Sequence, residues 1–243
     1  MIAIFKKEIK SFFTSAIGYL IIALFLLLTG LFLWVFKGSF NIFDYGFSDL
    51  SNFFLLAPWV FLFLIPAITM KSFSEEKKLG TLELLIIKPI STLELVFGKF
   101  LGAFALSLVA IIPTTIYVIS IHNLGLTEGN YDVGVVIGSY FGLLFLIATY
   151  TSIGVFSSSI TDNQILSFIL AIVLCFLVYF GFESLASLST NGNTQQFIKS
   201  FGAKTHFDSI AQGIIDTRDI VYFVALTFFF CYLTCNNLNT SSK

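Results

Sequence analysis

Glu76-Lys77-Lys78-Leu79-Gly80-Thr81-Leu82-Glu83-Leu84-Leu85-Ile86-Ile87-Lys88-Pro89 is charged, bounded by turn residues and rich in leucine, yet it lies between two long uncharged runs. Gly80 breaks whatever helix precedes it, Thr81 offers a cap to a short new one, and Pro89 stops that helix within about two turns. Upstream, Ser72 and Glu75 have capping-box spacing. On a helical wheel Leu82, Leu85 and Ile86 share one face while Leu84 and Ile87 lie on others, so in water the piece would show apolar surface nearly all round. It needs cover on more than one side. One neighbour is its own helix bundle; the other is a soluble partner, with Glu76, Glu83 and Lys88 at the rim setting register. An amphipathic loop resting on the lipid surface is the alternative.

The flanking runs set the class. Hydrophobic residues make up 57% of the 243-residue chain and charged ones only 11%, with a mean hydropathy of +0.94, which points to an all-α integral membrane protein. On the scale of roughly 20 apolar residues per crossing, about six spans are expected, over 16–36, 53–70, 100–121, 133–156, 164–182 and 217–235. Between them lie a cytosolic segment, 71–98, and an external amphipathic one, 183–216. The first run is too long for the apolar core of a signal peptide and is expected to stay as an anchor.

An even number of spans puts both termini on one side. Lys6, Lys7, Lys10, Lys71, Lys77, Lys78, Lys88, Lys99 and Lys243 share that side, against Lys37, Lys199, Lys204 and Arg218, so it is expected to be cytoplasmic. Residues 1–15 alternate apolar and lysine positions at helical spacing and are expected to form an interfacial helix. Ser91-Thr92-Leu93-Glu94 is a second capping box, from which a helix should run into the third span with Lys99 snorkelling at the interface. Pro58, Pro66 and Pro113 mark sites where spans can bend.

Apart from Arg218 and Asp219 in the first turn of the last, no expected span carries Asp, Glu, Lys, Arg or His between its ends, which argues against proton relays, ion-coupled carriers and voltage sensors. Neither a phosphate-binding G-x-x-x-x-G-K-[ST] nor an H-E-x-x-H is present, and no metal site or catalytic residue is assigned. The net charge of −1 and the lack of a basic stripe argue against nucleic acid. Cys175, Cys231 and Cys235 sit in apolar runs as small packing residues.

Gly98 and Gly102, and the stripe Gly134, Gly138 and Gly142, allow close approach of helices, within one subunit or across a dimer seam. Thr114, Thr115, Tyr117, Ser120, Thr149, Tyr150, Thr151 and Ser152 place hydroxyls in the third and fourth spans, for a polar path or for bonds to neighbouring helices. In the external segment, Asn191-Gly192-Asn193 reads as a turn and Ser209 with Gln212 as a capping box. Asp216, Arg218 and Asp219 form a charged collar at the start of the last span, as a gate or an anchor.

With these residues in hand, G-T-L-E-L-L-I-I-K-P-I-S followed by G-K, between the second and third spans, resembles the cytosolic coupling segment of ABC-2 type transporter permeases. His206-Phe207-Asp208-Ser209-Ile210, then Gly213, Ile215-Asp216 and Arg218-Asp219, resembles the external pre-helix motif of one branch, associated with gliding motility. The resemblance implies a six-span bundle of the type V exporter kind with an interfacial helix and a coupling helix. It implies a separate ABC ATPase subunit that binds the ATP, no cofactor on this chain, a second like or related permease, and a subunit with a large external domain. It places the chain in the bacterial inner membrane. Carried over by position, Glu76, Gly80, Thr81, Leu82, Glu83, Leu84, Leu85 and Pro89 would contact the ATPase, and His206, Phe207, Asp208, Gly213, Asp216, Arg218 and Asp219 would form an external gate or anchor. A structural anchor for a motility or secretion complex, and a passive channel, are the competing readings.

Overall fold

The computed structural model describes residues 1–83, 90–125 and 129–241, and all regular structure among them is helical. Five helical stretches are long and apolar enough to cross a membrane: Ser51–Lys78, Thr92–Leu124, Val133–Ile160, Gln164–Ser187 and Thr217–Thr240. A sixth candidate is the pair Ile2–Thr14 and Gly18–Trp34, which is long and apolar enough only when taken together and is bent by 71° at the break.

Helix α1 (Ile2–Thr14) packs along the first turns of the helix that begins at Thr92, and α2 (Ala16–Trp34) turns away from it. The elbow depends on Gly18, because a Cβ there would meet the Phe12 carbonyl oxygen at 2.5 Å and the Phe12 ring at 2.6 Å. A short α3 (Ile42–Tyr45), capped by Asn41, precedes α4 (Ser51–Thr69), which carries Pro58 and Pro66. The chain scarcely breaks before α5 (Ser74–Lys78), and this overturns the expected capping box. Phe73 holds the N-cap position and the Ser74 hydroxyl donates to Met70 O, because a helix that continues through one turn has no fresh amino end to cap.

Ser91 does cap the next helix, accepting from Glu94 N at 3.2 Å, and α6 (Thr92–Ile111) runs on until Pro113 forces the 3-10 turn Ile112–Thr114. After α7 (Thr115–Leu124), Asp132 caps α8 (Val133–Ile160), the central helix, which packs on α4, α6 and the elements that follow. Asn163 caps α9 (Gln164–Phe176), which continues through a π turn, Leu177–Gly181, into α10 (Phe182–Ser187). Asn191 is an N-cap, not the middle of a turn: it starts α11 (Gly192–Lys199) by accepting from Asn193 N. Ser209 likewise lies in the last turn of α12 (Ala203–Ala211), and Gln212 ends that helix rather than stapling a new one. Helix α13 (Thr217–Ser241) outruns the expected span by six residues, its polar end held where Asn237 donates to Ser159 O at 2.7 Å and Thr92 to Asn239 Oδ1 at 2.8 Å. Met1 N lies 3.8 Å from Glu94, so Met1 and Asn239 both meet the first turn of α6.

The main core joins Phe25 stacked on Phe61 at 4.7 Å, Phe53, Leu143, Leu146, Ile147 and Tyr150. A second cluster gathers Phe73, Leu82, Leu95, Val96, Phe100 and Val155 with the buried Cys231 and Cys235. Hydroxyls fasten spans together: Thr29 to Tyr117 at 3.2 Å, Thr114 to Tyr140 at 3.1 Å, and Thr149 to Thr227 at 3.3 Å. Lipid gives apolar helices no reason to associate, so close packing and such bonds hold the bundle.

Candidate functional site

Lys99 is the point where three elements meet. It sits two turns into α6 and is 2% exposed, so it does not snorkel to the interface as the sequence suggested. Its Nζ lies 2.9 Å from Glu8 Oε1 of α1 and 3.0 Å from Glu76 Oε2 of α5, donates to the Ser72 carbonyl, and stands 5.0 Å over the Phe73 ring. Glu76 also meets Lys7 Nζ at 2.9 Å. Burial pulls the Lys7 ammonium down, but the hydrogen bond and charge of Glu76, with Glu8 behind it, hold it above its ordinary value. The lysine is buried because Gly98 and Gly102 let α1 lie directly on α6: Cβ atoms there would come within 2.9 Å of Ile4 Cβ and 2.7 Å of Glu8 Cβ. That contact brings Glu8 to Lys99.

The residues after Lys78 divide between inside and outside. Gly80 takes a φ of +67°, which suits glycine, and Thr81 bonds back to Glu76 O through its amide at 2.9 Å and its hydroxyl at 3.3 Å. Leu82 is buried in the cluster of Phe73, Leu95 and Phe100, whereas Glu83 is exposed and Leu79 is 67% exposed. Leu84, Leu85 and Pro89 lie outside the described residues.

The opposite end carries the collar. His206 of α12 places Nδ1 2.6 Å from Asp219 Oδ1 of α13 and Nε2 2.9 Å from Ser200 O, and its ring stacks on Tyr222 with centroids 4.0 Å apart. Tyr222 in turn donates to Phe201 O at 2.6 Å. Phe207 is buried in the main core, and Asp216 accepts from Arg218 N at 2.9 Å, capping α13. Lys204 pairs with Glu183 at 2.7 Å and lies 3.8 Å from Asp208; burial pushes the Asp208 carboxyl up, Lys204 opposes this and Glu183 adds to it. Gly138 is where α12 rests on α8: a Cβ there would reach Ile210 O at 2.7 Å and Gly213 Cα at 3.1 Å. A Cβ on Gly142 would meet side-chain atoms of Phe207 and Ile210 at 3.3 Å, and one on Gly213, whose φ is +81°, would lie 3.6 Å from the Gly134 backbone.

Sequence reasoning missed Glu8 and Gly154. Glu8 looked like one more charge among lysines. Gly154 stands outside the Gly134 stripe, yet any Cβ on it would collide with the Thr69 hydroxyl.

Among the described residues no group of His, Cys, Asp or Glu is arranged to hold a metal. The geometry therefore offers a buried charge joint at one end of the bundle and a hydrogen-bonded collar at the other, linked by α6 and α8. Comparison with curated proteins gives no match. A family model described as ABC-2 family transporter protein matches residues 2–234, nearly the whole bundle from α1 into α13, and the chain belongs to that family.

Proposed function

We propose that this permease takes mechanical work from a separate ABC ATPase through residues 76–89, and that the Lys99 joint passes it into the membrane. The observation that carries this reading is the position of Glu76. It belongs to the segment ahead of Gly80, yet it is ion-paired with the third-span helix through Lys99 and is also bonded to Lys7 on α1. Closure of an ATPase dimer against this end would press on Leu79 and Glu83, displace Glu76, and carry Lys99 and Glu8 with it. Helix α6 would tilt as a unit as far as the Pro113 turn, and α8 would relay the movement to α12 and the His206–Asp219 collar.

The resemblance of residues 206–219 supports the narrower reading of a GldF-type permease, an exporter linked to gliding motility. In this reading the chain sits in the bacterial inner membrane with both termini cytoplasmic, pairs with a second permease, and works with a subunit bearing a large external domain. By the same resemblance Glu76, Gly80, Thr81, Leu82, Glu83, Leu84, Leu85 and Pro89 would contact the ATPase, and ATP binds only the partner.

Leu79→Asp combined with Glu83→Lys tests the ATPase contact. Both side chains are exposed, so folding should be retained while co-purification of the ATPase is lost; undiminished co-purification would overturn the assignment. An ATPase variant that binds but cannot hydrolyse separates transport from anchoring, because an anchor would keep its function and a transporter would not.

A further inference from the structure

The elbow between α1 and α2 roofs a cavity of about 520 Å³, within the roughly 300–1,000 Å³ usual for ligand sites. Its inner wall is apolar and built at span depth from Ile21 of α2, Ala67 and Ile68 of α4, and Ala103 and Leu106 of α6. Its other end is lined by Lys7, Glu8, Lys71, Glu75, Glu76 and the buried Lys99, three cations and three anions, so the charged lining is balanced. Four of these six are engaged with one another in the Lys99 joint. Lys71 and Glu75 make no ion pair among the described residues, and they stand one helical turn apart in the same lining.

We propose that this cavity holds one zwitterionic glycerophospholipid from the adjoining leaflet. An apolar slot opening beneath a charged end suits an acyl chain below a headgroup. Lys71 would take the phosphate and Glu75 the terminal ammonium, each supplying the charge the other lacks. An anionic phospholipid would satisfy Lys71 but leave Glu75 facing a like charge, which disfavours it. A small zwitterion without chains would leave the Ile21, Ala103 and Leu106 wall against water. The lipid would lie under α1 and against Ala103, wedged between the interfacial helix and the span that bears Lys99. This inference rests on the membrane placement of the bundle and not on the ATPase contact.

The test uses the full chain, purified with whatever subunits accompany it, in nanodiscs of phosphatidylethanolamine or phosphatidylglycerol carrying a trace of the same lipid with a photoreactive acyl chain. Label from phosphatidylethanolamine should concentrate on peptides holding Ile21, Ala67 to Ser72, and Ala103, about tenfold above label from phosphatidylglycerol. Glu75→Lys should reverse that preference. Ala103→Phe should abolish label in these peptides while leaving label elsewhere on the bundle unchanged. Should Ala103→Phe fail to fold, the Glu75→Lys reversal still decides. Label spread evenly over lipid-facing helices, equal yields from the two lipids, or an unaltered preference in Glu75→Lys would each overturn the proposal.

Discussion

Lys99 Nζ lies 3.0 Å from Glu76 Oε2, which ties α6 to the short helix α5 that follows α4. Lys99 is buried, and its second carboxylate, Glu8, comes from α1. A cation so enclosed is retained only because two carboxylates and a carbonyl replace its water.

Lys99→Met strips Glu8 of its cation and leaves Glu76 with Lys7 alone. Loss of one partner from a buried ion pair costs roughly 3–5 kcal/mol, so thermal unfolding in mild detergent should shift markedly downward. The triple variant Lys99→Met, Glu8→Gln, Glu76→Gln should recover most of that stability while leaving any ATP-driven activity impaired. Recovery of both together would mean that the joint serves only to hold the fold.

Gly138→Ala and Gly142→Ala separate two kinds of contact. At Gly138 the new methyl meets Ile210 O and Gly213 Cα, both backbone, so α12 itself must shift, at about 1–3 kcal/mol. At Gly142 it meets side-chain atoms of Phe207 and Ile210 at 3.3 Å, which can give. Unfolding midpoints should fall further for Gly138→Ala than for Gly142→Ala, and the reverse order would contradict the packing described.

His206→Phe should cost more than Tyr222→Phe. The tyrosine variant loses one hydrogen bond to Phe201 O, worth about 1 kcal/mol, and keeps the ring stack. The histidine variant keeps an aromatic ring but strips the buried Asp219 of its Nδ1 partner. Asp219→Asn added to His206→Phe should restore part of the loss in thermal unfolding.

Asp208 sets a pH dependence whose sign follows from its raised pKa. The folded protein holds this proton more tightly than the unfolded chain, so as pH rises from the ordinary value of 3.8 through the folded pKa, stability contributed by the protonated acid is lost. Asp208→Asn should flatten that part of the stability profile, with Lys204 still paired to Glu183. A profile of unchanged slope between wild type and variant would exclude this group as the source.

The crossings were legible because long apolar runs have few other uses, and caps such as Ser91 and Asp216 follow from local chemistry. Local chemistry also misled. Ser72–Glu75 and Ser209–Gln212 have capping-box spacing, but each falls where a helix continues or ends, and spacing alone does not register that. The Lys99 joint was hidden for a different reason: its partners lie 91 and 23 positions away, and burying an ammonium is a property of the assembled bundle. Leu82 was readable as apolar, yet whether it faces inward or outward is fixed only once Phe73, Leu95 and Phe100 converge on it.

Gly98 and Gly102 spell the motif commonly taken as a signature of self-association, but in this chain their bare backbone is already covered by Ile4 and Glu8 of the same molecule. A pairing surface between two copies would have to be sought on some other face of the bundle, among bulky side chains. Motif-based forecasts of oligomer geometry will therefore err for this permease, since here the small-residue spacing encodes how the amino-terminal arm is stowed.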